Sequence, residues 1–209
     1  MRQRLTKRGE QRRRQIVDLS ARRFATQGYH ATSITDIVNE LKVGKGVFYW
    51  YFSSKEELFR EILLTAQHDL RRLQQAAIEG EDDPLRRIEL GIRASLDWLG
   101  KHRHLFMLFH FAAGDERFSS MIRKGEQVAV EDATRHLKEA IAAGQIREAD
   151  PTVLGHAILG VINHLTRVLI FELGEPMDRV VDETIAFCLF GLKASTCPSP
   201  ASKGPDPSD

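Results

Sequence analysis

Residues 47–58 read VFYWYFSSKEEL, with five aromatic side chains in succession from Phe48 to Phe52. The chain has 11 Phe, 3 Tyr and 2 Trp, so nearly a third of its aromatic rings occupy five adjacent positions. A helix turns by ~100° per residue, so one face cannot bury all five. Phe48 and Phe52 are four residues apart and share a face. With Leu19, Phe24, Ile37, Val38, Leu41 and Val43 they supply a candidate small core. Lys45, Gly46, Tyr49 and Trp50 then point away from it, and Tyr51 lies at the flank beside Val47, so two rings hold the fold and three are left exposed.

The flanking residues bound this segment. In SITD, Ser33 precedes Asp36 by three residues, a capping-box pattern that opens a short helix over 34–41. Gly44 caps a second short helix that reaches about residue 52, and Ser54 with Glu57 opens a long one toward residue 77. Upstream, Ile16, Leu19 and Phe24 mark a helix that Gly28 stops. Two short helices joined by Lys42-Val43-Gly44 have the length of a helix-turn-helix.

Charge points the same way. The net charge of +1 conceals 12 Lys/Arg against 4 Asp/Glu in residues 1–55 and 18 against 25 in the rest. A basic quarter on an acidic body suits a polyanion-binding module joined to a body with another task, or else a solvated basic tail. Exposed Tyr49 and Trp50 beside Lys45 suit a nucleic-acid surface, where rings meet sugars and thymine methyls and lysine reaches guanine edges or backbone. The alternative for Trp50 and Tyr51 is packing against the helix that starts at Ser54.

The 209 residues fit one domain, or a small domain on a larger one, with 42% hydrophobic content for a core. No apolar run approaches the ~18–20 residues of a membrane span, and the charged N-terminus lacks the apolar segment of a signal peptide. Neither a membrane partner nor an anchor is expected. Cys188 and Cys197 make no disulfide framework, so a cytoplasmic location is expected. Helical periodicity predicts further helices at about 84–100, 103–113, 116–143, 151–173 and 176–194, after acid-Pro starts at Asp83-Pro84, Asp150-Pro151 and Glu175-Pro176. The proline-rich segment from residue 196 is expected to be disordered. The fold class is all-α, with about nine helices and no strands.

The segment FATQGYHATSITDIVNELKVGKGVFYWYFSSKEELFREIL, residues 24–63, resembles the N-terminal domain of TetR-family transcriptional repressors. The matching positions are Phe24, Gly28-Tyr29, Thr32-Ser33-Ile34, Ile37-Val38, Val43, Lys45-Gly46, Phe48-Tyr49, Tyr51-Phe52 and Ser54 to Leu58. The chain departs from the family pattern at Lys42, where glycine is usual, at Gly44 for a capping serine, and at Val47 for a hydroxyl residue. A left-handed Lys42 would cost on the order of 1 kcal/mol.

The resemblance implies a DNA-binding domain over 1–55 with a basic arm at 1–10, a sensing and dimerisation domain over 56–195, and a tail over 196–209. It implies a groove face of Lys45, Gly46, Val47, Tyr49 and Trp50, with Tyr51 on the backbone. Thr32, Ser33 and Thr35 would meet phosphate at a helix start, and Lys55 would clamp another. Arg2, Arg4, Lys7 and Arg8 would add charge, enter a minor groove, or form a plain tail. The implied partners are double-stranded operator DNA, a second copy of the chain and a small-molecule effector, in a cytoplasmic, nucleoid-associated protein without cofactor.

Within the body, Leu154, Ile158, Val161, Leu165 and Leu169 form one stripe, with His156, Gly160, Asn163 and Arg167 beside it. The 176–194 helix is apolar on more than one face. A homodimer interface of Leu154, Ile158, Val161, Leu165, Val181, Ile185 and Leu189 uses this surplus. Trp98, Phe106, Met107, Phe109, His110 and Phe111 crowd together as either plain core or the lining of an apolar cavity. The candidate polar handles are His68, His110, His156 and Asn163, which favours an apolar or amphipathic ligand. His102 and His104 point ~200° apart on a helix and lack partners at ligand spacing, so no metal is expected. No nucleophile elbow, phosphate loop or metal-carboxylate cluster supports an enzyme. A regulator that activates, or that answers to a protein partner, shares this sequence logic with a repressor.

Overall fold

The computed structural model describes residues 6–192, which leaves Arg2, Arg4, Cys197 and the tail from residue 196 outside. Among the described residues are nine α-helices, one π-helical turn and no β-strand, so the expected all-α class holds. Helix α1, Lys7–Gln27, begins at once after Thr6, whose hydroxyl accepts the Gly9 N–H at 3.2 Å. Lys7 and Arg8 are thus helical, which corrects their place in a loose arm. Gly28 ends α1 at φ +89°, a left-handed angle that suits glycine.

Helix α2, Ile34–Glu40, carries the reciprocal capping box of Ser33 and Asp36. The turn that follows places Lys42 at φ +54°, the only non-glycine positive φ among the described residues. Helix α3 is Lys45–Tyr51 and α4 is Lys55–Ala77, the latter capped by Ser54, which accepts from Glu57 N. The body continues as α5, Pro84–Lys101, α6, Arg103–Gly114, and α7, Ser119–Ala142. It ends with α8, Pro151–Leu165, and α9, Met177–Leu192. Asp83 and Asp150 cap α5 and α8 ahead of their first-turn prolines, as the acid-Pro pairs predict.

The expected continuous helix over 151–173 changes character at Thr166, and Thr166–Glu172 is a π-helix. Leu173 N–H bonds to Val168 O at 3.0 Å, five residues back. Arg167 and Glu172, also five apart, form an ion pair of 2.6 Å. Apolar spacing alone does not separate a π turn from an α turn. The 22 residues Pro151–Glu172 include an 18-residue window whose mean hydropathy reaches 1.5, long and apolar enough to cross a membrane. The sequence expectation that no apolar run approaches a membrane span missed this, because His156, Asn163 and His164 punctuate the stretch. Here α8 packs on α5, α7 and α9. Gly155 permits the α7 contact, because a Cβ there would stand 3.2 Å from Val130 Cγ1.

Two hydrophobic cores result. One joins Ile16, Phe24, Phe48 and Phe52 to Leu58 and Phe59 of α4, and also to Leu108, Ala112, Phe118 and Ile122. The other gathers Leu96, Trp98, Leu137, Ile158 and Ile185 from α5, α7, α8 and α9. The expected boundary at residues 55 and 56 is therefore no break in packing, since the first core runs across it.

A left-handed lysine costs more than a left-handed glycine. Lys42→Gly should raise the unfolding free energy by up to about 1 kcal/mol in chemical denaturation, with Lys42→Ala giving no comparable gain. Equal stability for wild type and Lys42→Gly would show that the turn holds no such strain.

Candidate nucleic-acid interface

The seven-residue α3 is far below the ~12–15 residues at which an isolated helix becomes marginal, so packing must hold it. Phe48 is 0% exposed and Phe52 1%, each burial giving about 1.5–3 kcal/mol. Their rings lie 5.8 Å apart at the base of the module, and Arg13 of α1 stands 5.1 Å over Phe52. On the opposite side Tyr49 is 54% exposed and Trp50 62%. Lys45 and Gly46 are exposed beside them, and Val47 is half-buried. Tyr51 packs against the core while meeting Trp50 edge-on at 4.7 Å. The aromatic run thus divides into two buried rings, two exposed and one at the boundary, because Tyr51, expected to be exposed, leans onto the core.

Other expected contacts sit elsewhere. Thr32 is 0% exposed and its hydroxyl donates to Gly28 O at 3.0 Å, so it is a loop fastener without access to phosphate. Ser33 is exposed, but its hydroxyl donates to Asp36 Oδ2 at 2.7 Å and accepts from Asp36 N at 3.1 Å. The Ser33 hydroxyl, and then the Ser33 N–H that donates to the same Oδ2 at 2.8 Å, hold the Asp36 carboxyl below its ordinary range. Thr35 is exposed in the first turn of α2.

Lys55 is half-buried, and its ammonium donates to Tyr29 O at 2.9 Å and Thr32 O at 3.0 Å while standing 4.5 Å over the Tyr29 ring. The expected phosphate clamp is instead a staple from α4 to the loop before α2. Spacing along the sequence carries no sign of those carbonyls, which the fold alone brings to Lys55. Lys42, exposed at the turn beside α3, is a basic group that sequence reasoning weighed only for its backbone.

In the body, Trp98 and Phe106 are buried in the second core, with Phe109 half-buried against both cores. Trp98 stacks on His102 at 4.5 Å, and His110 stacks on Phe106 at 6.5 Å. His68, His110 and His156 are nonetheless exposed, and Asn163 is half-buried. These handles do not converge as one polar lining, because each histidine falls on the outward side of its helix. His156 instead borders an open groove of about 810 Å³ that also touches Arg123, Thr134, Arg135 and Lys138.

The expected interface residues need a similar correction. Leu154, Ile158, Val181 and Ile185 are buried within the single chain, and Val161, Leu165 and Leu189 are half-buried. They serve the protomer's own core. The exposed apolar side chains on the same helices are Val153 at 62%, Phe187 at 65% and Phe190 at 79%.

Residues 16–62, the span of this helix-turn-helix and its supports, match the family model described as bacterial regulatory proteins, tetR family. That span is a TetR-type DNA-binding domain. It is 26% identical over 177 residues to the HTH-type transcriptional regulator YhgD of Bacillus subtilis (strain 168), covering 84% of this chain and 91% of that one. It is 29% identical over 168 residues to the HTH-type transcriptional regulator TtgR of Pseudomonas putida, covering 76% and 80%. The fold superimposes with a TM-score of 0.73 on AibR, whose crystal structure holds isovaleryl coenzyme A and operator DNA, at 20% identity over 87% of this chain and 99% of that one. The matched domain and the relatives' names mark a DNA-binding transcriptional regulator rather than an enzyme.

A hydrogen bond from a charged donor is worth about 1.5–3 kcal/mol when buried. Solvent screening at a half-exposed ammonium cuts the two bonds here to about 1–3 kcal/mol together. Lys55→Met should therefore destabilise the chain by about 1–3 kcal/mol in urea titration while leaving the salt dependence of DNA binding unchanged. A salt slope flatter by about one unit, with unaltered stability, would restore the phosphate role.

Proposed function

We propose that the chain is a homodimeric repressor that reads a palindromic operator through α3 and leaves it when a small apolar or amphipathic effector binds the body. The observation that carries the DNA half is the outward pair Tyr49 and Trp50, held on a helix whose inner pair, Phe48 and Phe52, is fully buried. Two large exposed rings beside Lys45 cost solubility unless a partner covers them, and the major groove offers thymine methyls, sugars and guanine acceptors to this chemistry. Lys45, Gly46, Val47, Tyr49 and Trp50 form the reading face, with Lys42, Ser33 and Thr35 toward the backbone. Tyr51 supports Trp50, while Thr32 and Lys55 hold the loop behind them.

One seven-residue helix spans too few base pairs to specify a site, which favours two copies on two half-sites. The exposed Phe187 and Phe190 of α9, with Val153 of α8, supply the apolar surface for that second copy. The apolar crowd at Trp98, Phe106 and Phe109 supports an effector of apolar or amphipathic character, and AibR's ligand, an acyl group on a charged carrier, has that character. Effector and operator must then weaken each other by the same factor, because both bias one equilibrium. Such a regulator works in the cytoplasm on the nucleoid.

A duplex selected by the wild-type chain from a random-sequence pool tests the reading face. Tyr49→Ala should weaken binding to that duplex by about 10–100-fold and leave binding to unrelated DNA unchanged. Uniform weakening on all DNA would remove Tyr49 from base recognition. For the interface, Phe187→Asp with Phe190→Asp should sediment as a folded monomer, since unpaired charges would replace rings buried between copies. An intact dimer in that double variant would take α9 out of the interface.

A further inference from the structure

Arg117 stands at the corner between α6 and α7 and engages four groups at once. Its guanidinium donates to both carboxylate oxygens of Asp115, at 3.0 and 2.8 Å, and lies 3.6 Å from Glu56 Oε1. Its central carbon is 5.1 Å from the ring centroids of Tyr29 and of Phe118. Glu56, in the first turn of α4, accepts the Tyr29 hydroxyl at 3.1 Å. Tyr29 is 3% exposed and rimmed by Phe59, Phe111 and Phe118 at centroid distances of 4.8, 5.6 and 5.5 Å. A second cation, Lys55, stands over the same ring.

Three parts of the chain therefore meet on one phenol. Tyr29 belongs to the loop between α1 and α2, Glu56 to α4, and Asp115 with Arg117 to the body. The charges persist across neutral pH: Arg117 holds the Asp115 carboxyl down to about 2, while burial and Glu56 push the Tyr29 phenol up to about 12. Lys55 passes the constraint on, because it binds the carbonyls of both Tyr29 and Thr32, the latter just ahead of the α2 cap.

We propose that Arg117 is a positioning residue for operator binding: by clamping Tyr29 and Glu56 to the α6–α7 corner, it fixes the attitude of the DNA-reading module on the body. This rests on the dimeric, two-half-site reading above. In such a dimer the attitude of each module sets the distance and rotation between the two α3 helices, which must enter successive major grooves about 35 Å apart. Arg117 acts through Tyr29 and need not touch DNA. A solvent-accessible ion pair contributes little to folding, about 0–1 kcal/mol, so its effect on geometry separates from its effect on stability.

The full-length wild type, Arg117→Gln and Arg117→Lys are compared on the selected duplex and on versions with one base pair added or removed between the half-sites. Each such change rotates one half-site by roughly 34° against the other. The wild type should discriminate strongly among the spacers. Arg117→Gln should retain the half-site sequence preference and the salt slope, but its spacer discrimination should shrink about 5-fold or more. Arg117→Lys, which keeps the charge without the fork, should fall between them. Asp115→Asn, which unties the corner without touching the arginine, should relax spacing in the same way, and it serves also if Arg117→Gln does not fold. Equal weakening on every spacer would reduce Arg117 to a stability role, and a salt slope flatter by about one unit would make it a phosphate contact. Either result overturns the proposal. A wild type indifferent to spacing would bring down the two-half-site reading as well, whereas strong wild-type discrimination unchanged in the variants would sink the clamp alone.

Discussion

Everything at the proposed DNA-reading face depends on the burial of Phe48 and Phe52. A two-turn helix has almost no stability of its own, and α3 has a glycine cap that offers no side-chain bond. Its conformation is borrowed from the core beneath it. Because the two phenylalanines are fixed at one angular position, Tyr49 and Trp50 are fixed at the other, and their exposure follows from helix geometry. A substitution at Phe48 would thus act on the proposed reading face through the orientation of Tyr49 and Trp50.

That core is not private to the module. Leu108 and Ala112 from α6 and Phe118 and Ile122 from the corner and α7 share it with Phe24, Phe48 and Phe59. Close-packed interiors transmit displacement because they have few voids to absorb it. A shift of α6 must move the first core, and the module moves with it. The second core, with Trp98 and Phe106, meets the first at Leu105 and Phe109, which pack against both. An effector that displaced side chains near Phe106 would therefore press on the module through continuous packing, and through the polar corner at Arg117 in parallel.

The fold was largely legible because its signals are local. Capping pairs such as Ser33 with Asp36, the proline starts at Pro84 and Pro151, and the stop at Gly28 act within one turn of the chain. The division of the aromatic run was legible for the same reason. Lys55 was not, because its partners, the carbonyls of Tyr29 and Thr32, lie 26 and 23 residues away. The π turn at Thr166 escaped because apolar spacing tolerates one extra residue per turn.

The proposed interface was hard to read in the sequence for a more general reason. On α9 the regular stripe of Val181, Ile185, Cys188 and Leu192 is the strongest apolar signal, and it is spent inside the protomer. What remains for a partner is the set out of phase with that stripe, Phe187 and Phe190. A helix in a bundle uses its best-aligned face for its own core, since burying that face is what folds the chain. An association surface must then be made from the remainder, so it shows as large apolar residues at the wrong angle rather than as a second clean stripe. On α8 the exposed Val153 beside buried Leu154 follows the same rule. The angular phase of an apolar residue relative to the main stripe, rather than its hydrophobicity, separates core from exposed surface on these helices.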